Sequence, residues 1–511
     1  MADAGESPGP TETAPRETAS RGWVFIAGSK MWFVLTSTAI NLLLPRVFAS
    51  AAVYGLFATA FGLLSILNNV LVAATLQTTS KMTSEDEARA EATLRRGLLL
   101  QGTFGAVLAT LVFVGAEPFA RDLLLDPALT PLFRIGATVV MAYTLYATLI
   151  GSLNGRHRFR GQAGLDAGFS LLRTIGILGG AGLGLGAVPA MGGFALAATG
   201  ILVAAFVLVG PGRSGEGAPA VRRWVGFAAP IWGYQAFLNA VLLGDVGVLK
   251  RTLTELAREG GLGAAAAAEL ASRELGYYSA AQKFALVPFQ LMLSVTFVVF
   301  PAVSRAASLG DGEEVRRVIR GALRFALLLL LAFASPIAGA ADGVMQLIFP
   351  PEYLAGSGAL SVLVFGMVAL GLFVVCATIL SGAGRLGLAA GIAAVALLVV
   401  VVGNRGLVLA TGLGPETLRA GAIGTTVGMT VAFGLAAGVV ARSFGALFPP
   451  ATLARAPLAA LAGYGVARFV PHDSPLGALA ALTAGFAGVL GVLAAVGELR
   501  VEEIRRLLRR R

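Results

Sequence analysis

WVFIAGSKMWFVLTSTAINLLL, residues 23 to 44, carries one charge, Lys30, in its whole length. About 20 apolar residues in a helix cross a bilayer core, so this stretch has the length and composition of a membrane span. The rest of the chain is written the same way. Of 511 residues, 56% are hydrophobic and 13% charged, against roughly 25% charged in a soluble protein. Strands alternating polar and apolar residues are nowhere evident. The fold class read from this is an all-α polytopic membrane protein. Its 67 glycines fit, because small residues let membrane helices approach closely.

Spans are predicted near residues 23–44, 54–77, 97–115, 131–153, 163–186, 189–210, 224–249, 276–303, 321–341, 357–380, 387–409, 421–441, 455–470 and 476–498. An even count of fourteen puts both termini on one side, and lysine and arginine identify the side. With the termini in the cytoplasm, the inner loops collect Lys81, Arg95 and Arg96, then Arg156, Arg158 and Arg160, then Arg213, Arg222 and Arg223, then Arg316, Arg317 and Arg320, with Arg385, Arg442 and Arg455 further on. The tail ELRVEEIRRLLRRR adds more. The outer loops hold fewer cations, and half of them lie in one segment where Glu255, Glu259, Glu269 and Glu274 balance them. This asymmetry accounts for the net charge of +11 through anionic inner-leaflet headgroups, without nucleic acid.

The chain also repeats. LLPRVFASAAVYGLFATA near residue 43 pairs with ELGYYSAAQKFAL near 274. LLLDPALTPLF from Leu123 pairs with LIFPPEYLAGS from Leu347, and ATLIGSLNGRHRF from Ala147 with ATILSGAGRLG from Ala377. The order is shared and the offset is about 220 to 230 residues. An even number of spans separates the copies, so they share an orientation, as in transporters built from parallel repeats. The expected organisation is a disordered cytoplasmic tail (1–22), a six-helix bundle (23–210), a cytoplasmic linker (211–223), a second six-helix bundle (224–441), two further helices (442–498) and a basic amphipathic cytoplasmic tail (499–511). Within the second bundle, 250–275 is an extra-cytoplasmic insertion.

These residues resemble the polysaccharide, or lipid-linked oligosaccharide, flippases of the multidrug/oligosaccharidyl-lipid/polysaccharide exporter superfamily. The features that carry the resemblance are LLLPRVFASAAVYGLF, GYYSAAQKFALVPFQLMLSVTFVVFPAVSR, GDGEEVRRVIRGALRF, IFPPEYLAGSGALSVLVFG and LSGAGRLGLA, which cover nearly the whole chain in order. The resemblance implies two six-helix bundles around a central cavity, alternating access, and translocation of polyprenyl-linked oligosaccharides to the outer leaflet of a bacterial cytoplasmic membrane. Polysaccharide polymerases and glycosyltransferases would be functional partners, and a monomer is expected. The segment KRTLTELAREGGLGAAAAAELASREL departs from the family, which usually has a short loop there.

If spans 1, 2, 7 and 8 line the cavity, as the resemblance suggests, the candidate substrate-binding residues are Lys30, Asn41, Asn68, Asn69, Gln235, Asn239, Lys283 and Gln290. A charge at a helix centre costs roughly 2.5–3.5 kcal/mol on insertion scales, so Lys30 and Lys283 either snorkel to an interface or meet an anion such as a pyrophosphate. Aligning NLLLPR (Asn41 to Arg46) with DVGVLK (Asp245 to Lys250) makes Arg46 and Lys250 equivalent gate positions. Asp245 is then either a proton or cation coupling site or the ion-pair partner of Lys250 or Lys283. Asp166 and Arg173, two turns apart on span 5, read as a pair inside the bundle.

Other chemistries fall away. GSK at 28 to 30 lacks the rest of a phosphate-binding loop, and the only histidines, His157 and His472, sit in predicted loops. The lone Cys376 leaves no thiolate cluster, so neither metal nor cofactor is expected. A multidrug exporter would want an acid in span 1, which has none between Arg21 and Arg46. A peptidoglycan-precursor flippase is an alternative within the superfamily, and a membrane-embedded glycan polymerase is the alternative from another class.

Overall fold

The computed structural model describes residues 19–48, 50–308 and 312–498. Its helices run, in chain order, α1 (Ala19–Val47), α2 (Ala51–Glu85), α3 (Ala90–Pro118), α4 (Thr130–Gly155), α5 (Phe159–Gly182), α6 (Ala187–Val209), α7 (Val221–Leu243), α8 (Asp245–Glu259), α9 (Ala264–Ser308), α10 (Gly312–Gly339), α11 (Ala341–Ile348), α12 (Ser357–Gly382), α13 (Leu386–Thr411), α14 (Thr417–Phe444), α15 (Pro450–Phe469) and α16 (Pro475–Ala495). Among the described residues, all but α8 and α11 have the length of a span, and ten helical segments are also apolar enough throughout to cross a membrane. The chain is a polytopic helical membrane protein. We call the end with the arginine-rich turns its inner end.

Helices α1–α6 pack as one bundle and α7, α9, α10 and α12–α14 as a second, with α15 and α16 laid against α10. The most buried helix of each bundle is its fourth span: the apolar stretch of α4 is 72% buried and that of α12 is 83% buried.

Most long helices overrun the predicted spans, as α2 does to Glu85 and α9 from Ala264, and three departures bear on the site. Helix α1 begins at Ala19 rather than 23. Span 7 stops at Leu243, and after Gly244 the chain starts a new helix, so Asp245 opens α8 instead of closing a span. The insertion is then helical throughout its flanks: α8 and the first turns of α9 form a hairpin joined at Gly260–Gly263, and α9 continues unbroken into the span. The tail at 499–511 and residues 1–18 lie outside the described residues.

Close approach of backbones organises the packing. A Cβ on Gly55 of α2 would lie 1.7 Å from the Ser272 carbonyl oxygen of α9, and one on Gly276 would lie 2.2 Å from the carbonyl of Ala51. No side chain fits between these helices, so the two bundles meet backbone to backbone at the outer end. Along its length α2 also packs on α7, whereas α1 barely touches α9. The bundles are therefore joined through α2 and apart along the α1–α9 seam.

Two expectations follow from this packing. At the α5–α6 crossing a Cβ on Gly193 would lie 1.9 Å from the Gly176 carbonyl oxygen, while one on the adjacent Gly192 would meet nothing within 4 Å. Gly193→Ala should lower the melting temperature of the detergent-solubilised protein and Gly192→Ala should not, because only the first pushes two helices apart. At the inner end, Glu498 receives Arg324 Nε at 2.8 Å, Arg455 Nη1 at 3.2 Å and Thr452 Oγ1 at 2.5 Å. Burial alone would raise this carboxyl's pKa, but the hydrogen bonds from Thr452, Arg324 and Arg455 outweigh it and hold it below the usual carboxylate range. A carboxyl depressed in the fold stabilises above its unfolded pKa and loses that contribution as pH falls through its folded pKa. Hydrogen exchange in α15 and α16 should consequently rise on acidification below the ordinary glutamate range. Glu498→Gln should exchange faster already at neutral pH and respond less to acid.

Candidate transport cleft

Helix α1 turns Lys30, Thr36 and Ser37 towards α5. Lys30 Nζ lies 3.2 Å from Asp166 Oδ2, and the hydroxyl of Tyr146 on α4 donates to Asp166 Oδ1 at 3.3 Å. Two turns further along α5, Arg173 donates to Ser37 Oγ and lies over the Phe33 ring, 4.4 Å from its centroid. Thr36 and Ser170 touch through their hydroxyls between these two links. Asp166 and Arg173 are thus not each other's partners: each engages α1. Arg173 is buried, but the Lys30 side chain remains 56% exposed. An ammonium has three donors, so one bound carboxylate does not exhaust it.

On α2 and α7 the predicted amides come together. Asn69 Nδ2 donates to Asn239 Oδ1 at 2.7 Å, and Asn239 in turn donates to the Gln235 carbonyl at 2.8 Å. Asn68 does not join them. It turns into the bundle, 3% exposed, with a side-chain oxygen that has no hydrogen-bond partner. Asn41 on α1 and Gln290 on α9 are half-buried. Lys283, half-buried on α9, lies close enough to Arg173 and Asp245 to feel both charges. Across the bundles, Lys283 of the second lies within range of the Arg173 charge of the first, and Lys30 stands on the same α1–α5 face as Arg173.

Asp245, the first residue of α8, is fully buried. Its carboxylate accepts from Tyr278 Oη at 2.6 Å, Gln282 Nε2 at 3.2 Å, Thr425 Oγ1 at 3.2 Å and the Val246 amide at 2.9 Å. Asn404 of α13 supports Thr425 from behind at 3.2 Å and keeps a buried side-chain oxygen without a partner. The expected ion pair with Lys250 is absent, because Lys250 bonds elsewhere. Tyr278, Thr425 and Asn404 were not singled out from sequence. Asn404 had a signal, a polar residue in the apolar run LLVVVVGNRGLVLA, but Thr425 looks like any other hydroxyl in a span.

The paired gate cations are corrected as well. Lys250 is fully buried and lies 2.8 Å from Asp126 Oδ2, in the turn between α3 and α4. Arg46 is exposed and donates to the Leu347 carbonyl on α11 at 3.4 Å. The two occupy different levels of solvation, because the break at Gly244 lifts Lys250 out of span 7 into α8.

No family model and no curated protein sequence matches this chain. Among solved structures, the chain is similar to the lipid II flippase MurJ in its inward closed conformation, with a TM-score of 0.72 at 14% identity over 93% of this chain and 98% of that one. It is similar to an inward-facing multidrug resistance MATE transporter, with a TM-score of 0.57 at 14% identity over 80% and 98%. A third similar structure is a transporter from Pyrococcus furiosus whose binding pocket has reverse polarity, with a TM-score of 0.51 at 15% identity over 83% and 97%. The chain shares the fold of these transporters.

Proposed function

We propose that this protein is a flippase that moves anionic, polyprenyl-(pyro)phosphate-linked oligosaccharides from the inner to the outer leaflet of a bacterial cytoplasmic membrane. The observation that carries this reading is the half-exposed ammonium of Lys30 on α1, with Arg173 on α5 in range of Lys283 from the second bundle, together with the amides of Asn69 and Asn239 that meet between α2 and α7. Compact cations suit phosphate oxygens, and amides suit sugar hydroxyls. The α1–α9 seam lets a polyprenyl tail stay in the bilayer while the headgroup enters, which an enclosed pore would not. Both termini lie in the cytoplasm, the protein has no catalytic site of its own, and its products feed polysaccharide polymerases outside. A second reading, a flippase for peptidoglycan lipid precursors, is favoured by the better superposition on the lipid II flippase than on the multidrug transporter. The lipid-linked glycan that accumulates in the inner leaflet of depleted cells separates the two.

Lys30→Ala and Lys283→Ala should each reduce translocation of a fluorescent lipid-linked oligosaccharide in proteoliposomes by about tenfold or more, since a hydrogen bond to a charged group contributes about 1.5–3 kcal/mol. The Lys→Arg variants should be milder. Normal transport by both alanine variants, at unchanged protein level, would return the two lysines to a snorkelling role.

We take the driving force to be an ion gradient or substrate mass action. Asp245 is the acid placed for coupling: a buried carboxylate ringed by a phenol, a hydroxyl and two amides, at the break between α7 and α8. Asp245→Asn should abolish stimulation of transport by an imposed proton or monovalent cation gradient while leaving exchange down the substrate gradient. Gradient stimulation that survives this change would remove Asp245 from coupling.

A further inference from the structure

We infer that α8 is an outer latch, a helix carried by the second bundle that holds the outer end shut through one buried ion pair to the first. The inference rests on the alternating-access reading above and adds the part that has to release. Asp126, 4% exposed, sits in the turn between α3 and α4. Its Oδ1 caps the following turn by accepting from the Ala128 amide at 3.0 Å, and its Oδ2 meets Lys250 Nζ at 2.8 Å. The same ammonium donates to the Ala268 carbonyl at 2.7 Å and to Ser272 Oγ at 2.6 Å. All three donors of the ammonium are thereby used.

The distribution of these bonds is what makes a latch. Two of the three belong to the second bundle and one crosses to the first, so parting costs Lys250 one bond, and with it goes the long bond of 3.4 Å that Ser272 Oγ donates to Asp126 Oδ2. Lys250 keeps Ala268 and Ser272, and Asp126 keeps its cap. Two weaker crossing bonds flank the pair: Arg251 donates to the Leu123 carbonyl at 3.1 Å, and Arg258 to the Leu125 carbonyl at 3.2 Å. Leu125 adopts φ +58°, a left-handed conformation that is unfavourable for a residue with a Cβ. On its other side α8 is tied down within its own bundle, because Glu255 takes both Arg251 at 2.7 Å and Arg405 of α13 at 2.7 Å. The helix therefore travels with the second bundle when the halves part.

Water can reach the pair from one side. A cavity of about 990 Å³ adjoins it, lined by Ser50, Arg121, Asp126, Arg258, Glu269 and Ser272 among others. Separated charges would be hydrated from this vestibule, whereas in the closed pair the ammonium is fully buried. An ion pair stranded in hydrocarbon would have no such second state.

Spin labels at Ala52 of α2 and Ala265 of α9, on opposite walls of the vestibule, report the opening directly in a Cys376→Ala background. Pulsed dipolar distances in nanodiscs should show one short population for the parent. Asp126→Asn, which leaves the ammonium facing an uncharged amide, should raise the ratio of long to short distances on the order of a hundredfold, because removing one partner of a buried pair is strongly unfavourable to the closed form. The exchanged pair Asp126→Lys with Lys250→Asp should bring the short population back. An unchanged distance distribution in folded Asp126→Asn would overturn the latch, as would loss of folded protein in both that variant and the exchanged pair. The measurement needs no substrate, so a failure of the flippase reading would appear separately, in the transport assays.

Discussion

Everything in this molecule hangs on the place where α2 and α9 touch without side chains, at Gly55 and Gly276. In lipid there is no hydrophobic drive between helices, since hydrocarbon is as apolar as leucine, and association depends on close van der Waals contact and on hydrogen bonds. A backbone-to-backbone contact is the closest available. It sets how closely the bundles meet at their outer end in this closed state, while α1 is drawn to α5 by Lys30–Asp166 and Arg173–Ser37. Helix α1 is held back from α9 for that reason, and the seam between them is a consequence of where the bonds are made.

The charges inside the membrane are handled in two different ways. Lys30 is paired but largely exposed, and so remains available to an arriving anion. Asp245 is fully buried and surrounded by neutral donors, with the nearest cation acting on it only at a distance. A carboxylate held by neutral groups can exchange a proton or small cation without breaking a salt bridge, and the break at Gly244 places it where α7 ends and α8 begins.

The number and order of the long helices were legible in the sequence because hydrocarbon leaves a chain few alternatives: every backbone polar group must be satisfied within the segment. The resemblance between the halves was legible for a related reason, since turns such as LLLDPALTPLF and LIFPPEYLAGS keep their chemistry even when the spans diverge. Pairing was not. Asp126 looked like an ordinary turn residue, and nothing local says that a lysine more than a hundred positions later will reach it. Asn69 and Asn239 were proposed together from their helices, and they do meet. Asn68, one residue along, turns inward because a helix rotates about 100° per residue.

The failed equivalence of Arg46 and Lys250 shows how the two copies came to differ. Two cations facing each other across a closed rim would repel, and at close range in a medium of low polarity the repulsion would amount to several kcal/mol. The chain avoids this by treating its halves unequally. Arg46 stays in the first bundle's rim, exposed, and spends its guanidinium on a backbone carbonyl. Lys250 is carried off its span by the break at Gly244, buried, and given an acid from the opposite bundle. The symmetric repulsion becomes a single asymmetric attraction. The insertion that departs from the family pattern is the means of doing so, since without α8 there would be no scaffold on which to hold the ammonium away from lipid.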